Sequence, residues 1–191
     1  MTVMQKASVA VLALCAAVVL GAPFDFAQGG QAPAVDLSKP GPQATKETVH
    51  LTVKTTASDE TAAPGHKVSL LVDVSPKPKM HVYAPGQEGY IAITLRLDAD
   101  PAFTAGKAKY PAGEKLFMKI LNETQLVYAK PFRIVQDVTL ALTREMRQRA
   151  AADGASLTIK GTLRYQACDD KICYLPANVP VEWRVKLTPL S

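Results

Sequence analysis

From Glu47 onward, apolar residues recur at every second position. Val49, Leu51 and Val53 alternate with polar neighbours, as do Val68, Leu70, Val72 and Val74, and then Ile91, Ile93, Leu95 and Leu97. Successive side chains of a strand point to opposite faces, so this period describes half-buried strands rather than helices. Further strands are expected around Leu126 to Leu140, Leu157 to Ala167 and Val179 to Leu187. Pro76, Pro78, Pro85, Pro101, Pro111 and Pro176 fall between them, where a missing N–H breaks no ladder. One segment departs from the period. Thr143 to Ala152 (TREMRQRAAA) is rich in helix formers, with Thr143 placed to cap its start and Gly154 to stop it. Its arginines read as a solvated face. The expectation is an all-β sandwich of about seven or eight short strands, with one short helix inserted between late strands. Trp183 runs in step with Val181 and Val185 and belongs to the core.

The N-terminus has a different character. Lys6 is the only charge before an apolar run from Val9 to Leu20. A run of about a dozen residues is too short to span a bilayer and matches the apolar region of an export signal. Residues 1–27 are read as signal, 28–46 as a Gly-, Pro-, Gln- and Ala-rich flexible linker, and 47–191 as the folded domain. Cleavage fits after Ala27 or Ala34; Pro23 argues against cutting after Ala22. Cys15 follows Leu14 where a lipid-attachment motif wants a small residue, so it is expected to leave with the signal rather than anchor a lipoprotein. No later segment is apolar enough to span a membrane, and the protein is expected as a monomer. The formal net charge of +5 is spread along the chain without interleaved aromatic residues, which argues against a nucleic-acid partner.

Removal of the signal leaves Cys168 and Cys173. An even number of cysteines in an exported chain points to a disulfide. Four residues, Asp169 to Ile172, separate them, a suitable hairpin loop. That loop would set the cysteines opposite each other at a Cα separation of roughly 5 Å, which a disulfide can bridge. Alternation from Leu157 puts Tyr165 and Ala167 on the core side and Cys168 on the solvent side, within reach of another thiol. So small a loop constrains the unfolded chain by only about 2 kcal/mol, so the bridge is a weak staple and can open without unfolding the domain. Asp169 and Asp170 should raise the thiol pKa and Lys171 lower it. Two cysteines with no neighbouring histidine fall short of a zinc site; His50, His66 and His81 would have to gather in the fold to make one.

Tyr165-Gln166-Ala167-Cys168 and Cys173-Tyr174-Leu175-Pro176 resemble the Y-Q-x-C…C-[YL]-x-P signature of the N-terminal periplasmic domain of the DsbD thiol:disulfide interchange proteins. Met80 to Gly86, followed by Gly89-Tyr90, is similar to that family's early strand and turn. The resemblance runs from about Thr48 to Leu187 and implies an immunoglobulin-like sandwich with a redox pair near one end. It implies a cap loop shielding the pair, placed by position between Ala112 and Glu123 with Phe117 its aromatic residue. It also implies a site lined by His81 and Tyr83. Tyr165 and Asp169 are further candidates beside the cysteines. Family members pass electrons to thioredoxin-like partners, among them disulfide isomerases and cytochrome-c maturation proteins.

The chain departs from the family pattern in three ways. Its cysteine loop is one residue shorter than in the best-known members. His81 stands where those members carry Tyr. The family's membrane and C-terminal thioredoxin-like domains are not expected in this chain, so a membrane electron-transfer protein is expected to act in trans.

The expected function is periplasmic thiol:disulfide exchange through Cys168 and Cys173, with no cofactor, because the pair itself carries two electrons. Which sulfur is attacked stays open on the residues alone; family precedent leans to Cys173. The rival is a non-catalytic immunoglobulin-like binding or scaffold domain with an inert bridge. His81 is read as a partly buried residue bonded to backbone, with proton transfer as the alternative, and Asp169 as a turn residue.

Overall fold

Alternation builds strands, and their pairing is described here from a computed structural model covering residues 44–119 and 122–190. The expected signal, with Cys15, and nearly all of the linker lie outside the described residues. In chain order the strands are β1 (Ala44–Glu47), β2 (Leu51–Ala57), β3 (Thr61–Ala62), β4 (Lys67–Pro76), β5 (His81–Tyr83), β6 (Thr94–Leu97) and β7 (Phe103–Ala105). They continue with β8 (Glu114–Met118), β9 (Glu123–Tyr128) and β10 (Phe132–Leu140). Helix α1 (Arg144–Ala150) precedes β11 (Ser156–Tyr165), β12 (Ala167–Cys168) and β13 (Ala177–Leu187).

The first sheet has the order β1-β2-β4-β10-β7 and the second β3-β13-β11-β6. Their facing sides are Leu51, Val53, Leu70, Val72, Ile134 and Val138 on one, and Leu157, Ile159, Leu163, Val181 and Val185 on the other, all buried. Side-chain hydrogen bonds tie the layers. Trp183 Nε1 donates to the Leu71 carbonyl at 3.2 Å, and the Thr55 hydroxyl donates to the Glu182 carbonyl at 2.9 Å. The architecture is the expected all-β immunoglobulin-like sandwich. Gly161 lets β6 lie against β11, since a Cβ there would sit 2.6 Å from the Arg96 carbonyl oxygen.

The helix forms where expected. Thr143 Oγ1 accepts from the Met146 N–H at 3.2 Å, Met146 and Ala150 are buried, and Gly154 follows at φ +66°. Arg144, Arg147 and Arg149 are exposed.

Three expectations are corrected. Val49 lies outside any strand and is 84% exposed, because Thr48 Oγ1 accepts from the His50 and Leu51 N–H groups and turns the chain there. Ile91 and Ile93 precede β6 rather than lying within a longer strand. The described residues hold thirteen strands, not seven or eight, because β3, β5, β7 and β12 are two or three residues long, too short for a period to register.

A third sheet, β12-β5-β9-β8, is made of extensions of both large sheets. Beyond Tyr165, Gln166 leaves the ladder, its amide bonding the Ile91 N–H and the Tyr174 carbonyl, and the chain re-enters as β12 against β5. Strand β5 follows β4, and β9 leads into β10. This small sheet carries both cysteines' surroundings.

Candidate redox site

The hairpin closes through its backbone. Asp169 N–H donates to the Ile172 carbonyl at 3.0 Å, and Tyr174 N–H to the Ala167 carbonyl at 2.8 Å. Cys168 and Cys173, between those two bonds, form the kind of antiparallel pair that exchanges none of its own and brings its side chains closest. They are joined as a disulfide with Cα atoms 4.0 Å apart, closer than the separation expected from the loop. The Asp169 carboxylate accepts from the N–H groups of Ile172 and Lys171 and from the Tyr174 hydroxyl. These bonds, Ile172 first, hold its pKa below the ordinary carboxylate value. Asp169 therefore shapes the loop, as a turn aspartate does.

The two sulfurs differ in access. Cys173 is exposed, whereas Cys168 is fully buried, contrary to its expected place on the solvent side. Alternation assigns residues to two faces but does not say which faces are covered. Both faces of β12 are covered: Ala167 packs into the main core, and Cys168 packs with Tyr83 and Val127 in a second, smaller cluster.

Tyr83 is the residue closest to the chemistry. It is fully buried, and its hydroxyl lies 3.0 Å from Cys168 Sγ and 3.2 Å from Cys173 Sγ. A disulfide carries no S–H, so the phenol donates. Burial raises its pKa far above the ordinary phenol value; Tyr90 and Glu123 push the same way and Gln125 opposes them. Tyr83 is thus a protonated donor throughout the physiological range. Its ring stacks on Tyr90, centroids 4.3 Å apart. The Tyr90 hydroxyl and Gln125 Nε2 both donate to Glu123 Oε1, which anchors this aromatic wall to β9.

His81 lies directly opposite Cys168 across the β12–β5 pair and edge-on to Tyr83, centroids 6.0 Å apart. It is only 2% exposed, and its Nε2 has no partner among the described residues, in place of the expected backbone bond. Burial lowers its pKa, while Asp170 and then Asp169 pull it back up. Phe117 stands 55% exposed on β8 and shares a cavity with Asp170. Its neighbour Met118, 9% exposed, lines with Tyr83, Gln125 and Cys173 a cavity of about 110 Å³ beside the disulfide. Tyr165 is buried in the main core, its hydroxyl donating to Thr48 Oγ1 and lying 3.4 Å from His50 Nδ1.

The structure therefore brings Cys168, Cys173, His81, Tyr83 and Asp169 together, with Phe117 beside them and Tyr165 turned toward Thr48 and His50. Sequence reasoning passed over Tyr90, Met118, Gln125 and Tyr174. Tyr90 and Tyr174 lie within the two quoted family segments, and Met118 adjoins Phe117; Gln125 had no signal, since a polar residue on a strand reads as solvent-facing. Among the described residues no group of three or more His, Cys, Asp or Glu is placed to hold a metal ion, and no helix is long and apolar enough to cross a membrane.

Residues 48–182 match the family described as thiol:disulfide interchange protein DsbD, N-terminal. No curated protein sequence matches the chain. Among solved structures, the chain is similar to the N-terminal periplasmic domain of ScsB from Proteus mirabilis, at 15% identity and a TM-score of 0.48, covering 78% of this chain and 52% of that one. It thus spans about half the length of that relative (52%). It is also similar to the DsbD N-terminal domain of Neisseria meningitidis in its reduced form, at 16% identity and a TM-score of 0.41, covering 62% of this chain and 78% of that one. With the family matched over most of the folded residues and its cysteine pair bonded at a hairpin, this chain belongs to the family of DsbD N-terminal domains.

Proposed function

We propose that the domain is a periplasmic thiol:disulfide exchange module that passes electrons between thioredoxin-like partners through Cys168 and Cys173. The observation that carries this reading is the unequal access of one bonded pair: Cys173 exposed, Cys168 buried. A partner thiolate attacks Cys173 Sγ, the bond to Cys168 breaks, and its electron pair leaves on Cys168. A second partner thiolate then attacks its own sulfur in the mixed disulfide. The partner departs oxidised and the domain holds two thiols. The reverse sequence hands both electrons to the next protein. Direction follows the partners' potentials, and a membrane electron-transfer protein is a further partner in this reading.

Tyr83 supports either direction, because its hydroxyl reaches both sulfurs and can donate to whichever becomes a thiolate. The weak constraint of so short a loop allows cycling without unfolding. Equilibration with glutathione or thioredoxin, followed by thiol trapping, tests the proposal. A potential of about −270 mV or above is expected of a carrier; a bridge that stays closed below about −300 mV is structural, and the proposal fails.

A further inference from the structure

Cys168 and His81 oppose each other across the β12–β5 pair, and neither reaches solvent. Directly opposed residues of an antiparallel pair project from the same face, with Cβ atoms about 5 Å apart, within reach of a thiol for an imidazole. Tyr83, two residues along from His81, projects from that face too, and its hydroxyl touches both sulfurs. The histidine is thus on the sulfur side of the sheet. Among the described residues its Nε2 is buried without a partner while the disulfide is closed. An unsatisfied buried group calls for an explanation, and a role in another redox state is one. When the pair opens, Cys168 gains a proton in a place water does not reach. Burial raises the pKa of such a thiol, so it resolves a mixed disulfide slowly unless a neighbouring group takes its proton.

We propose that His81 Nε2 is the proton acceptor and donor for Cys168, a role that rests on the exchange reading above. In the reduced domain the Cys168 S–H donates to Nε2. Once Cys173 is joined to a partner sulfur, the Cys168 proton passes to Nε2 and the thiolate's electron pair forms the bond to Cys173 Sγ. The bond from Cys173 to the partner breaks, and its pair leaves on the partner's sulfur. Cys168 is oxidised, the partner's sulfur is reduced, and the imidazolium releases its proton to water as the site relaxes. In the opposite direction Cys168 leaves as a thiolate, and the ring takes up a proton from water as the site relaxes and passes it from Nε2 to that sulfur. The charges acting on the ring are the carboxylates of Asp170 and Asp169 in the cysteine loop, which favour the imidazolium. Tyr83 on the same strand is held protonated at the sulfurs. On β9, Val127 and Tyr128 stand in register with Tyr83 and Val82, and the Tyr128 hydroxyl is committed to the Pro111 carbonyl. Burial keeps the imidazole neutral at neutral pH and able to accept a proton.

The test uses the reduced protein and 5,5′-dithiobis(2-nitrobenzoate) in stopped flow. One nitrothiobenzoate is released when Cys173 attacks the reagent, and a second when Cys168 resolves the product. In His81→Phe the first phase is expected to keep its rate, while the second slows about 100-fold at neutral pH and then climbs with pH as an unassisted thiol ionises. His81→Gln, polar but not basic, is expected to behave alike and carries the test if the Phe variant does not fold. In the unmutated protein, NMR titration of the His81 ring should give different pKa values in the oxidised and reduced states. A second phase unchanged in both variants, or a ring that titrates identically in both states, overturns the role of His81 and leaves exchange intact. A native protein that releases no second nitrothiobenzoate overturns the exchange reading, and this proposal with it.

Discussion

In the two large sheets, buried positions are filled mainly by Leu, Ile and Val, and the single indole N–H is satisfied across the sandwich. In the small third sheet they include His81, Tyr83 and Gln125. Of the three buried side-chain atoms without a partner among the described residues, two, His81 Nε2 and Gln125 Oε1, belong to that small sheet. The third, Gln136 Oε1, lies on β10. A fold gains most from apolar packing and fully bonded polar groups. The small sheet departs from that rule beside a disulfide, and the exchange proposal reads its side chains as arranged for reaction and the large sheets as holding the structure.

If that division is right, damage to the large sheets should cost stability and leave the redox pair unchanged. Trp183→Ala empties a position only 1% exposed and is expected to lower the unfolding free energy by about 3–5 kcal/mol in urea denaturation. The reduction potential of the folded fraction should not move; a shifted potential would break the division. Opening the bridge comes next. Reduction, or Cys173→Ala, should cost about 2 kcal/mol and leave a cooperatively folding domain, since the cysteines are five residues apart. Loss of cooperative folding on reduction would make the bridge a staple.

Smaller effects sharpen the comparison within the site. Tyr83→Phe removes the donor to both sulfurs and should cost about 0.5–1.5 kcal/mol in stability. It should also raise the pKa of the Cys173 thiol, followed by thiolate ultraviolet absorbance, because the thiolate loses a hydrogen bond; an unmoved pKa would mean the hydroxyl does not reach the reduced sulfur. The smallest effect is a pH dependence. His81 has a lowered pKa in the fold, from burial, against an ordinary value of about 6.5. Below that value the unfolded chain binds more protons than the folded one, so stability falls as pH drops from about 6.5 toward the folded pKa and is unaffected by this group above it. His81→Phe should remove that part of the acid loss; an equal acid slope in both proteins would mean the ring is not desolvated.

The framework was legible because alternation reports the two faces of a strand directly. Val68, Leu70, Val72 and Val74 are all buried on β4, and Trp183 and the Thr143 cap fall where the pattern puts them. The cysteine pair was legible from spacing. The burial of Cys168 was not, because it depends on β5 covering the second face of β12, a tertiary fact that no local period carries. His81 was expected to be only partly buried for the same reason. Its strand is three residues long, and what buries it comes from β12 and the residues packed around it, far away in sequence.

The most direct test of the central claim, one reachable sulfur bonded to one sealed sulfur, is capture by single-cysteine variants. Cys168→Ala, which keeps the exposed Cys173, should accumulate a mixed disulfide with thioredoxin-like proteins lacking their own resolving cysteine, while Cys173→Ala should form little or none. Capture by Cys173→Ala in preference, or by neither variant, would contradict the account.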